Sequence, residues 1–500
     1  MTALATDPRH PVPARPARAA AGADARSNRW ARLAWLRERG MGASVLVAAL
    51  SSAFGVVLIG ATGYIGSFLF ADRFIGSSET LAIVVGIMTV LLVGVAVYVA
   101  AIVTANTFAT IVAGRVRNIA LMRLIGASAR SQRTVVARQG LVVGAIGALI
   151  GLFVGTGVAA LGIAIADAVL AVPTVPFGLV QPALLLPALV VALTTWAAAW
   201  SGSRRVLTVT PLEALGGSVE RAHEDLVGRR GRNVAAISLF GAGGALLVLG
   251  IVVGLVTPLG IMIAFVGGLL SFTGLALGAA LVMPPVLRLV GRAFGSSVTA
   301  RLAAENGMRY PERSSRMAIG VVMGVTLVTM FAVAIESTKV VLTANGGGEL
   351  PEYMASLLDT FSIVMMALVG VSAVIAAVGL VNLLTIGVVQ RRRELGLLRS
   401  LGLSNAQIRR MILLEAAHVT VAALALGLVL GIVYGWAGAQ SLLGAVPVVP
   451  GGPAGSFVLP AVPLVPVLVV IVATAVLTVV AAVVPTRLAT RVAPVEALAE

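Results

Sequence analysis

Glu415 and His418 stand three residues apart in the run "MILLEAAHVTV", so a helix presents both on one face, a spacing that carboxylate-bridged metal sites use. No second copy of the pair and no further ligand cluster accompanies it. The chain has no cysteine, and His10 and His223 lie in the N-terminal tail and in a charged loop. The pair therefore reads more simply as polar groups near a helix end. No Ser-His-Asp set is suggested either. Lys339 is the only lysine and sits in "AIESTKVVL", not behind a glycine-rich phosphate loop, so the chain cannot hydrolyse ATP by a P-loop of its own. Glu336, three residues before Lys339, is spaced to pair with it. Asp167 and Asp359 fall near expected outer helix ends, where water reaches them. A proton-coupled exporter calls for an ionisable relay near the membrane midplane, and none is evident.

What must position these residues is a membrane. With 59% hydrophobic and 11% charged residues and a mean hydropathy of +1.04, the chain has too little polar surface to cover a soluble globule of 500 residues. Apolar runs of span length, about 20 residues each, are read near 43–67, 81–111, 134–165, 178–200, 234–256, 258–287, 317–341, 357–389, 411–443 and 458–485. The fold class expected is an all-α polytopic membrane protein with about ten transmembrane helices. A β-barrel needs short alternating strands, and "LAIVVGIMTVLLVGVAVYVAAIV" does not alternate.

Lysine and arginine together number 36 and give a formal net charge of +16. Every arginine except Arg73 falls in the N-terminal tail, at helix ends or in the even-numbered loops. The positive-inside rule makes those regions and both termini cytoplasmic. Because the arginines are spread over every inner loop with few interleaved aromatics, topology explains them and nucleic acid is not an expected partner. The first 28 residues, rich in Pro, Ala and Arg, read as a disordered cytoplasmic tail without the apolar core of a signal peptide. "NRWARLAWLRERG" fits either an interfacial helix or a simple flank of the first span.

A repeat organises the rest. "RNIALMRLIGASARSQR" from Arg117 aligns without a gap to "RELGLLRSLGLSNAQIR" from Arg393, an offset of 276 residues. Arg117, Leu121, Arg123, Gly126, Ser128 and Arg133 fall on Arg393, Leu397, Arg399, Gly402, Ser404 and Arg409. "TPLEAL" from Thr210 matches "APVEAL" from Ala493, and "ARLA" occurs at Ala31 and Ala300, before the first and seventh spans. Two four-helix units, 29–217 and 298–500, are thus separated by a linker and two-helix insertion, 218–297. Two extra crossings restore the starting side, so the units are parallel repeats. The insertion is expected to link them and to pack at the periphery through its glycine-rich faces.

The repeated element is a short helix, a sharp turn and a new span. Gly126 and Gly402 suit the left-handed conformation that ends a helix. Ser128 and Ser404 are placed to cap the next one, with Gln407 completing a capping box in the second copy. Before the second turn, Leu395, Leu398 and Leu401 form an apolar side, and Arg393, Glu394 and Arg399 carry charge. Such a protrusion suits docking in a partner's groove; an amphipathic helix that only anchors topology is the simpler reading of the same pattern.

The second copy and the "P-x-E-A-L" ending resemble FtsX-like, MacB-type permeases, the membrane subunits of a class of bacterial ABC transporters, in their ten-span form. The resemblance covers nearly all of the chain after residue 30. It implies a multi-pass subunit of the bacterial cytoplasmic membrane, with ATP and Mg used by a separate ABC ATPase and no cofactor bound by this chain. It also implies that coupling helices contact that ATPase through Arg117, Leu121, Met122, Arg123, Gly126 and Ser128, and through Arg393, Glu394, Leu395, Leu398, Arg399, Gly402 and Ser404. Asn118 departs from the pattern, standing where the second copy has Glu394. The outer loops "FADRFIGSSET" and "TANGGGELPEY" are too short for the family's large extracytoplasmic domain. The resemblance then implies export or extraction of an amphipathic compound or peptide, with two ATPase copies per chain. Mechanical signalling to an envelope enzyme or sensor kinase, and secondary proton-coupled export, are the alternatives. The outer segments "VPTVPFGLVQP" and "VPVVPGGPAGSF" first suggest ordered turns.

Overall fold

The computed structural model describes residues 41–71, most of 86–105, 128–170, 178, 181–203, 230–292, 302–305, 308, 311–345, 397–445 and 455–491. Residues 43–500 belong to one compact unit. Its helices are α1 (Met41–Ala71), α2 (Ala129–Leu170), α3 (Leu185–Gly202), α4 (Arg230–Gly254), α5 (Gly260–Leu277), α6 (Ala279–Gly291), α7 (Pro311–Asn345), α8 (Asn405–Leu443) and α9 (Leu464–Arg491). The described residues contain no strand, and eight of their helices are long and apolar enough to cross a membrane. Hydrocarbon offers no hydrogen bonds to a backbone, so runs this apolar form helices, which satisfy their own. The expected span at 81–111 is described only in part, around the apolar segment Thr89–Val99. The expected span at 357–389 and both chain ends lie outside the described residues.

The repeat reappears as packing. In α2, an added methyl at Gly151 would lie 2.3 Å from the Ala49 carbonyl oxygen of α1, and one at Gly155 would lie 2.9 Å from Val56 Cβ. In α8, a methyl at Gly427 would lie 2.8 Å from Val325 Cβ of α7, and one at Gly431 would lie 2.5 Å from Thr329 Cβ. The glycines obey the offset of 276 already read from the sequence. Partner numbers rise together along both helices, so the first and third spans of each unit run in the same direction, as the expected topology requires. Each seam also carries a hydroxyl bond between helices, Ser52 Oγ to Ala148 O (3.0 Å) and Thr326 Oγ1 to Gly427 O (3.3 Å).

The third and fourth spans repeat as well. A methyl at Gly144 of α2 would lie 2.8 Å from Thr195 Cβ of α3. Moving on by 276 residues in the third span and by 283 in the fourth, the offset of the two "EAL" endings, gives Thr420 and Thr478. Their hydroxyls bond between α8 and α9 at 3.1 Å. A single apolar cluster joins Val47, Phe54 and Leu58 of α1 to Met317, Val321 and Val325 of α7 and to Ala422 of α8. By contrast α2, α4 and α9 expose large apolar side chains such as Phe153, Val234 and Val472, as lipid-facing helices do.

The insertion is only partly peripheral. α4 and α5 form an antiparallel pair whose backbones meet at glycines: a methyl at Gly250 would lie 2.6 Å from Ala264 N, and one at Gly274 would lie 2.4 Å from Phe240 N. Close approach of this kind is how small residues hold helices together in lipid. α4 shows its outer face as expected. α5 and α6, however, turn Phe272, Leu275, Met283 and Leu287 into the central cluster. The sequence also suggests one span over 258–287, whereas the helix breaks at Gly278. Pro284 and Pro285 inside α6 leave the Ala280 and Leu281 carbonyls without their helical donors, which weakens the helix just past the break.

Candidate coupling elements

The second element is built by two back-to-back caps. Residues 397–400 form a helical turn that ends in paired bonds, Leu403 N to Leu398 O (3.1 Å) and Gly402 N to Arg399 O (3.0 Å). Gly402 has φ +99°. This is a Schellman motif with glycine in the left-handed position, where a side chain is strained. Two residues later Ser404 starts α8: its Oγ accepts from Gln407 N (3.2 Å), and its own N–H donates to Gln407 Oε1 (2.8 Å). The reciprocal box satisfies donors at the start of a 39-residue helix. In the first copy Ser131 N donates to Ser128 Oγ at 3.1 Å, the cap expected there.

Side-chain directions refine the sequence reading. Leu398 and Leu403 both pack on Ile408, Met411 and Ile412 at the base of α8, together with Leu302. That is the apolar contact a Schellman motif makes across its turn. Leu398 therefore joins the turn to the span. Leu397 and Leu401 are the outward leucines, 53% and 71% exposed, and Leu397 is the residue aligned with Leu121. Arg399 is half-buried, while Gly402 and Ser404 are exposed. Sequence reasoning passed over Leu397 as a contact residue. The signal was available: apolar residues four before and one after a helix-ending glycine pair with each other, leaving Leu397 and Leu401, four apart, for the opposite side. Leu302 belongs to the second "ARLA", so that repeat marks a brace beneath the turn. Arg117, Leu121, Met122, Arg123, Gly126, Arg393, Glu394 and Leu395 lie outside the described residues.

α8 carries this element through the bundle. At 39 residues it is about 58 Å long, well beyond a hydrocarbon core of about 30 Å. Near its start, buried His418 places Nε2 2.7 Å from the Leu287 carbonyl in the last turns of α6. Glu415 is buried beside it, and no metal-binding group of three or more acidic or histidine ligands occurs among the described residues. Further along, Tyr434 Oη lies 2.8 Å from Ser271 Oγ of α5. Two residues on, Thr273 Oγ1 lies 2.8 Å from Tyr98 Oη, so one helix of the insertion bonds to tyrosines from both sequence repeats. At the far end the Gln440 side chain holds Ser456 O (3.0 Å) and Val458 N (2.6 Å). Trp436 Nε1 donates to Val458 O at 2.7 Å. The described part of the second Pro- and Gly-rich segment is thus an ordered strap. On the equivalent side of the first unit, Tyr64 Oη donates to the Asp167 carboxylate.

A long-helix bundle with paired glycine seams and an insertion between its halves defines a multi-pass membrane protein made from an internal repeat. Residues 90–208 and 366–494 each match the FtsX-like permease C-terminal domain, and the chain belongs to the FtsX-like permease family. Each matched segment contains one copy of the repeated sequence element, from Arg117 and from Arg393. Over 89 residues the chain is 34% identical to the ABC transporter permease YtrF of Bacillus subtilis (strain 168). That match covers 17% of this chain and spans a fifth of YtrF's length.

Proposed function

We propose that this chain is the permease subunit of an ABC transporter in the bacterial cytoplasmic membrane, driven by a separate ATPase that docks on 117–126 and 393–402. The observation that carries this reading is the back-to-back capping at Gly402 and Ser404. It makes the short helix and α8 one mechanical piece, so a displacement of the outward Leu397–Leu401 side cannot be absorbed by a flexible joint. Movement of α8 is communicated to α6 through His418, to α5 through Tyr434 and to the distal strap through Gln440 and Trp436. The cargo we favour is an amphipathic compound or peptide, exported or extracted from the membrane.

Two measurements test this. One permease chain should assemble with two ATPase subunits, because both coupling elements lie in one chain; native mass spectrometry of the complex reads the ratio. A dominant species with two permease chains and two ATPases would contradict the proposal, since four elements would compete for two grooves. The absence of native cysteine also permits clean labelling. Cysteine at exposed Ala406 should react with an impermeant reagent only after the membrane is opened, and cysteine at exposed Gly178 should react in intact cells. Labelling of Ala406→Cys from outside would remove the element from the ATPase's side.

A further inference from the structure

The arginine-rich end of the first unit carries a feature that the second lacks. Arg133, near the start of α2, stacks on α3 with its Cζ 3.7 Å from the centroid of the Trp200 ring. Trp196 lies parallel to Trp200 within 23°, with centroids 6.3 Å apart. The stacked guanidinium has its Nε covered and without a hydrogen bond. Its charge is held against an aromatic face, and no ion pair joins it to another described residue. Arg130, one turn earlier on α2, is exposed.

The surface around this cation is lipid-like in its demands. Leu185, Leu189, Leu193, Trp196 and Trp200 recur at helical spacing on α3 and are all exposed, forming one stripe from the first residue of the helix to its arginine-rich end. Trp196 and Trp200 are 42% and 38% exposed, and indoles at a span's end sit at headgroup level. A guanidinium at that level is suited to paired hydrogen bonds with phosphate oxygens. We propose that Arg133, Trp196 and Trp200, with Arg130 at the rim, form a binding site for an anionic glycerophospholipid: phosphate on the guanidinium, glycerol region against the indoles, acyl chain along the three leucines.

Asymmetry between the units argues against a generic membrane anchor. The offset of 276 places Arg409 at the position of Arg133. The offset of 283, which the Thr195 and Thr478 contacts obey, places Val479 and Val483 at those of Trp196 and Trp200. The cation recurs and the indoles do not. The site does not depend on the ATPase reading, because it is tested by lipid retention alone.

The purified full-length chain in detergent, titrated with phosphatidylglycerol or with phosphatidylcholine of the same acyl chains, should retain phosphatidylglycerol preferentially in native mass spectra. Arg133→Gln and Trp200→Leu should each weaken that retention about fivefold, and Arg409→Gln should leave it unchanged. Equal retention of the two lipids by the wild-type chain, which requires no variant to fold, would overturn the proposal. So would equal losses in Arg133→Gln and Arg409→Gln, which would indicate a charge effect common to both units. Displacement of phosphatidylglycerol by inorganic phosphate at similar concentration would identify a free-anion site and overturn the lipid assignment.

Discussion

Leu397→Asp combined with Leu401→Asp is expected to reduce ATPase retention at least tenfold, about 1.4 kcal/mol or more, while the permease still inserts and purifies at normal yield. Both side chains point outward and contribute nothing to the Ile408 cluster, so the folded turn loses little. In a docked complex each carboxylate would enter an apolar groove without a partner, and burial of an unpaired charge costs several kcal/mol. Leu398→Asp provides the contrast. Its side chain lies between Leu403 and the base of α8, so a charge there should loosen the turn and lower thermal stability as well as docking. Pull-down of the ATPase with the double variant, beside a melting curve for each variant, separates the two effects. Wild-type retention by the double variant would place the ATPase contact elsewhere.

The turn was legible because its instructions are local. Gly402, Ser404 and Gln407 lie within six residues and each has a short list of physical uses; the structure fills those uses as read. The repeat was legible because the sequence kept one offset across 17 aligned residues, and Gly151, Gly155, Gly427 and Gly431 extend it into the packing. Information that depends on a second helix was not legible. His418 looked like half of a polar pair on one face, yet its ring meets the Leu287 carbonyl on another helix, 131 residues away. Phe272 and Leu275 were apolar residues in an apolar insertion, and hydropathy cannot distinguish a lipid-facing leucine from one facing the central cluster. Gly278 offered a local hint of a helix break, but an uninterrupted hydropathy run concealed it. The outward turn of Leu397 and the inward turn of Leu398 followed from Schellman geometry that the Gly402 spacing already implied.

Gly151→Ala and Gly427→Ala should each destabilise the chain by about 1–3 kcal/mol, although alanine is the better helix former. A methyl at Gly151 would lie 2.3 Å from a backbone oxygen of α1, and one at Gly427 would lie 3.1 Å from a backbone oxygen of α7 and 2.8 Å from Val325 Cβ. Backbone cannot rotate away, so the two helices must separate along the seam and lose contact with several residues. Gly157 and Gly244 supply the controls: nothing lies within 4 Å of a methyl at either. Alanine there should stabilise by up to about 1 kcal/mol through helix propensity alone. Melting midpoints of the purified chain in one detergent rank the four variants. The expected order places Gly157→Ala and Gly244→Ala at or above wild type, with both seam variants clearly below. A seam variant that melts with the controls would mean that its helices are not in backbone contact in the folded protein. Similar losses at Gly151 and Gly427 would show that the first and third spans of each unit are held by the same close backbone contact.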